Sequence, residues 1–160
     1  MTQDALDETA ELNEWGDPQP TKRRLLISAP DPDVLDTYAS LLSTHGFETF
    51  RGPLEFTALN TTKVEVAAVV LVGMGSTDGT AISQVEAMRG SQSAQARNTP
   101  ALLLGSSEQK LLLAWESGID AFLPLPVDLT DVIAAINEIV ARPVDERAAY
   151  RRSALAQLNL

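Results

Sequence analysis

A chain of 160 residues with 44% hydrophobic side chains is long enough for one domain with its own core and too apolar for a disordered segment. It has no cysteine and a single histidine, His45, which excludes disulfide frameworks, thiolate sites and multi-histidine metal centres. The net charge of −10 is concentrated at one end: residues 1–20 hold six acids and no base, leaving sixteen acids against twelve bases elsewhere. An acidic chain repels phosphate backbones, so nucleic acid is not an expected partner. The first twenty residues lack the basic and apolar regions of a secretory signal. No apolar run approaches the roughly 18 residues of a membrane span. A cytoplasmic protein is expected.

The acidic arm, residues 1–21, reads as a solvated tail, with Leu12 and Trp15 as a short docking motif should it have one. Leu25–Ser28 is a short apolar run, hence a buried strand. Asp31 followed by Pro32 predicts a helix start, because proline at the first helical position needs no amide hydrogen bond. Val34, Leu35, Tyr38, Leu41 and Leu42 recur at helical spacing, and Gly46 supplies the stop. His45 beside it reads as a partner of the helix end. Phe47–Phe50 predicts a second strand, polar enough for an edge. Gly52-Pro53 opens a weak helical stretch to about Asn60.

Val66–Val72 is a continuous valine-rich run closed by the glycine-rich turn Gly73–Gly79, which predicts the central buried strand of a parallel sheet. Asp78 there reads as turn chemistry. Thr80–Arg89 is helical, and polar Gly90–Asn98 reads as an exposed loop. Ala101–Leu104 is another strand. Ser107 can cap a helix to Ser117 with Leu111, Ala114 and Trp115 inward, and Gly118 ends it. Ala121–Leu123 is the last strand. Asp128 then caps an amphipathic helix through Leu129, Val132, Ile133, Ile136 and Val140. Beyond Arg142-Pro143 a further helix, Val144–Leu158, carries Val144, Ala148, Leu155 and Leu158 on one face, with Arg147, Arg151 and Arg152 among acids. It either packs back on the domain or serves for docking or dimerisation.

Five strands alternating with five helices predict an α/β domain: a flavodoxin-like (βα)5 doubly wound parallel sheet of order 2-1-3-4-5 over residues 22–142. The acidic arm and the helical extension 143–160 flank it. In such sheets ligands bind at the carboxyl ends of the strands.

Asp31-Pro-Asp-Val after the first strand, Thr77-Asp-Gly, Thr99-Pro, and Glu116-Ser-Gly-Ile-Asp-Ala-Phe-Leu leading into Pro126 together resemble the receiver domain of bacterial response regulators over roughly Lys22–Ala141. The resemblance implies two-component signalling and a phosphorelay, but its chemistry does not carry over. The acidic pair that would hold Mg²⁺ matches Ala29 and Pro30. The phosphoacceptor aspartate matches Leu71 or, with a shifted gap, Gly73. The hydroxyl after the fourth strand matches Gly105, with Ser106 one place late, and the phosphate-pairing lysine matches Leu125. Asp31 remains as the family's third acid, explained already as a cap. Only the aromatic switch position persists, as Phe122. The expectation is a stand-alone, non-catalytic pseudo-receiver without metal or cofactor.

The family's partner surface, formed by its fourth helix, fifth strand and fifth helix, maps onto Leu111, Leu112, Trp115, Phe122 and the outer side of Asp131–Arg142. The implied partners are a histidine kinase, another regulator, a scaffold or a second copy of the chain. The alternative is a small-molecule sensor at the vacated pocket, where Gly73, Gly75, Gly105 and Ser106 leave room near backbone amides. No nucleophile–base pair or paired carboxylates mark an enzyme.

Overall fold

The apolar runs become the strands of one sheet, and the residues between them become helices on both of its faces. A computed structural model describes residues 22–106 and 108–158. The acidic arm with Leu12 and Trp15, and the Ser107 cap, lie outside the described residues. In chain order the elements are β1 (Arg24–Ala29), α1 (Pro32–Thr44), β2 (Glu48–Pro53), α2 (Thr57–Lys63), β3 (Ala68–Val72), α3 (Asp78–Arg89), α4 (Ala94–Asn98), β4 (Ala101–Gly105), α5 (Leu111–Ser117), β5 (Ala121–Pro124), α6 (Leu129–Ala141) and α7 (Val144–Leu158). The sheet has the order β2-β1-β3-β4-β5 and every pairing is parallel. This is the flavodoxin-like topology, with a C-terminal helix added.

Alternation along the strands divides the core into two layers. Leu25, Ile27, Val70, Val72, Leu102 and Leu104 point to one face and meet Ala39 and Leu42 of α1 and Val132, Ile136 and Ile139 of α6. Leu26, Val69, Leu71 and Leu103 point to the other, under Ala81, Val85 and Met88 of α3 and Ala114 of α5. Every residue of β3 and β4 is buried, which is why these segments read as unbroken apolar runs.

Local chemistry sets the helix ends. Asp31 Oδ1 accepts the Asp33 amide at 2.8 Å and starts α1. Gly46, at φ +94°, follows its end, where His45 Nδ1 lies 2.8 Å from the Leu41 carbonyl oxygen. Three expectations need correction. Asp128 stands at the N-cap of α6, yet its side chain makes no cap hydrogen bond. Residues 90–98 are not all loop: Ser93 caps the short α4, and Ala96 is buried. Five residues are too few for a helical period to be legible. The weak stretch after Gly52-Pro53 is a 3-10 turn, Leu54–Phe56, continuing as α2 to Lys63. Its inward positions are Thr57 and Thr61, whose hydroxyls bond to the carbonyls of Leu54 and Ala58, so no apolar stripe announces it.

The extra helix spans the expected residues but buries a different face. Val144 and Leu158 stay exposed, while Arg147 is only 4% exposed. Its docking is polar.

Candidate functional site

The carboxyl edge of the sheet is where the topology would place chemistry. Leu71 pairs with Leu103 and Val72 with Leu104. The Gly73 amide donates to the Leu104 carbonyl at 2.7 Å, which carries the alignment to the end of the strands. Gly73 therefore stands at the end of β3, beside Gly105 at the end of β4. Leu71 lies two residues back, wholly buried in the core beneath α3. Ala29 is buried at the end of β1, whereas Pro30 and Asp31 are exposed and Asp31 is engaged by its cap. Leu125 is half-buried on the α1–α6 side of the sheet, away from Leu71.

What fills the glycine-lined space is Asp78, which the sequence offered only as a turn residue. A Cβ on Gly73 would come within 2.5 Å of Asp78 Oδ1 and 3.0 Å of its Cα. A Cβ on Gly105 would meet Phe122 Cε1 at 2.7 Å and Asp78 Oδ1 at 3.7 Å. Both glycines are thus required by what packs against them. The carboxylate of Asp78 accepts the Ser106 hydroxyl at 3.1 Å and, more distantly, the Ser106 amide at 3.5 Å. Ser106 Oγ in turn accepts the Gly75 amide at 2.7 Å. Asp78 is 2% exposed and opens α3, where a negative charge is favoured by the helix dipole. The only signal for this in the sequence was a glycine at each of two adjoining strand ends.

The arrangement closes the space proposed for an anion. Of the four residues that would line it, Gly73 and Gly75 have their amides in use, Ser106 faces Asp78, and a buried carboxylate occupies the middle. Ser106→Ala removes the nearest donor to that carboxylate. Urea denaturation should show a loss of about 1.5–3 kcal/mol, the range for hydrogen bonds to charged groups. An unchanged midpoint would show that Asp78 is held by other means.

The second expected surface is largely covered. Trp115 is half-buried with its ring 6.0 Å from that of Tyr150 on α7, tilted by 48°. The Arg142 guanidinium lies 4.1 Å from the centre of the Tyr150 ring and also pairs with Glu138. Together with Phe122, Leu123 and Ile139 these side chains enclose about 190 Å³. Leu111 and Leu112 are half-buried, and the leucine that α5 presents outward is Leu113, at 55% exposure.

Asp120, before β5, anchors this cover. Its carboxylate is 1% exposed and receives Arg89 at 2.9 Å, Arg147 at 3.3 Å, Arg151 at 2.6 Å and the Ala101 amide at 2.8 Å. Arg89 also donates to the carbonyls of Gly118, Arg97 and Thr99, and Arg147 to that of Asn98. Burial pulls the Arg89 guanidinium down to about 10 against the opposing attraction of Asp120; Arg151 and Arg147 lower it further. The extension is therefore docked through arginines that the sequence showed only as charges among acids. Of its two readings, the helix packs back on the domain.

The fold is that of a receiver domain, the signal-accepting module of response regulators and sensor kinases. Similar solved structures include the receiver domain of a Pseudomonas aeruginosa sensor histidine kinase with magnesium coordinated in its active-site cleft. It is 12% identical, covers 76% of this chain and all of its own, and has a TM-score of 0.65. The chemotaxis response regulator CheY4 of Vibrio cholerae is 16% identical over 74% of this chain and 99% of its own, with a TM-score of 0.64. The beryllofluoride-activated receiver domain of Klebsiella pneumoniae RstA is 18% identical over 74% and 99%, with a TM-score of 0.62. No family model and no curated protein matches the sequence. Among the described residues no three His, Cys, Asp or Glu side chains gather as a metal site, and no helix is long and apolar enough to cross a membrane.

Proposed function

We propose that this chain is a pseudo-receiver: a cytoplasmic module of two-component signalling that works without aspartate phosphorylation, as a non-catalytic protein-interaction adaptor. The observation that carries the reading is the end of β3. Gly73 offers no side chain there, and the carboxylate beside it, Asp78, is buried and bonded to Ser106. A phosphoryl acceptor needs an open line of attack and a cation to neutralise the transferred group. Mg²⁺ asks for several oxygen ligands. Ala29 and Gly73 bring none, Asp31 is engaged at its helix cap, and Leu125, which the resemblance matches to the phosphate-pairing lysine, carries no charge. The residues present do not fit the ion.

Incubation with acetyl phosphate and Mg²⁺ should leave the intact mass unchanged, and Mg²⁺ with beryllofluoride should not raise the melting midpoint. A phosphoryl adduct on Asp78, Asp31 or any neighbouring aspartate would overturn the reading.

With the pocket silent, recognition falls to the outer surface. The α5–β5–α6 face is presented together with α7, so residues 143–158 act as part of the receiver-like unit, and Leu113 is its exposed apolar contact. The partner is a protein: a histidine kinase, another regulator, a scaffold or a second copy. Affinity capture with the tagged chain should recover a defined partner that Leu113→Asp loses.

A further inference from the structure

An open apolar cleft lies on the other side of the same sheet edge. It holds about 420 Å³, within the ~300–1,000 Å³ typical of small-molecule sites. Val34 and Tyr38 of α1, Val72 at the end of β3, Met74 just beyond it, and Leu125 and Val127 of the β5–α6 connection line it. None of these carries a charge. The position is the topological switch point, because the chain leaves β1 toward β2 through α1 and reaches β3 on the opposite side.

Three details distinguish the cleft from an ordinary packing gap. First, three of the lining side chains are valines, so the space stays open although the layer beneath it, built on Val70 and Leu104, is fully buried. Second, the Tyr38 hydroxyl makes no hydrogen bond among the described residues, and burial pushes its phenol up from the ordinary value. Third, Met74 is 45% exposed at the rim, an unbranched side chain able to fold over an occupant. The surroundings also select by charge. Exposed Asp31, Asp33, Asp128 and Asp131 stand at the two helix starts that flank the cleft, so a negative ligand is disfavoured.

We propose that this cleft is a binding site for a small, largely apolar molecule without negative charge, carrying one hydrogen-bond acceptor for the Tyr38 hydroxyl. The site does not rest on the adaptor reading, and it relocates the ligand alternative from the glycine-lined space, which Asp78 fills, to its apolar neighbour.

Methyl NMR of the full chain with three probes of one ring tests the site: cyclohexanone, cyclohexylamine and cyclohexanecarboxylate. Cyclohexanone should shift the methyls of Val34, Val72, Met74 and Val127; cyclohexylamine, a charged ammonium with no acceptor, should bind more weakly, and the carboxylate most weakly of the three. Tyr38→Phe should weaken cyclohexanone about fivefold, the loss of one neutral hydrogen bond. Val34→Phe, which fills the space, should abolish the shifts while the rest of the spectrum stays native. Equal response to all three probes with no effect of Tyr38→Phe would mean unspecific apolar contact and overturn the proposal. So would silence at the four methyls. If Trp15→Ala shifts the cleft methyls with no probe present, the occupant is the chain's own N-terminal segment, and the small-molecule site is likewise refuted.

Discussion

Replacing Asp120 with asparagine should lower the stability of the fold by about 3–5 kcal/mol, the cost of removing one partner from a buried ion pair. The reason is an imbalance of charge. One carboxylate serves three guanidinium groups, whose side chains are 16%, 5% and 20% exposed for Arg89, Arg147 and Arg151. Arg147 is the most demanding of them, since its Nε is already buried without a hydrogen-bond partner among the described residues. With the charge gone, two of the three belong to α7 and can leave with it into water. Arg89 cannot, because its carbonyl bonds tie the end of α3 to the segments before β4 and β5.

The comparison that isolates α7 is Arg147→Ala with Arg151→Ala. Asp120 then keeps Arg89 and the Ala101 amide, so the sheet and its core remain intact. The loss in urea should be smaller than for Asp120→Asn, and amide exchange should accelerate in residues 144–158 with little change in β3 and β4. A double variant as damaging as Asp120→Asn, with exchange rising throughout, would mean that α7 is structurally inseparable from the core. The same experiment bears on recognition, since release of α7 uncovers Trp115, Phe122 and Leu123.

The parts of this molecule legible in its sequence are those that depend on near neighbours. The strands were legible because β3 and β4 are buried on both faces and leave no polar interruption. The start of α1 was legible because Asp31 and Pro32 act on amides within two residues. What escaped depends on contacts distant in the chain. Arg147 and Arg151 meet Asp120 across 27 and 31 positions, so their burial has no local signature, and an apolar face was expected where a polar one docks. Asp78 and Ser106 are 28 apart, and each looks like ordinary turn chemistry alone. Even the choice between Leu71 and Gly73 for the end of β3 required the pairing with β4. The glycines themselves were visible; what they make room for was not.

Gly73 and Asp78 should accordingly behave as a coupled pair. Gly73→Ala places a methyl 2.5 Å from Asp78 Oδ1, closer than real Cβ contacts run, and 3.0 Å from its Cα, tighter than most. Overpacking of this kind costs about 1–3 kcal/mol. Rotation of the Asp78 side chain can relieve the first clash only by surrendering its bond to Ser106, and the backbone contact persists. Gly73→Asp, which places an acid at the end of β3, adds repulsion between two carboxylates in a water-poor site and should be worse than Gly73→Ala. Asp78→Ala alone removes the Ser106 bond and leaves a small void; combined with Gly73→Ala the new methyl enters that void. The double variant should be more stable than the sum of the single losses predicts, by about 0.5–3 kcal/mol of coupling for residues in contact. Strict additivity would show that the glycine is not there to accommodate the aspartate.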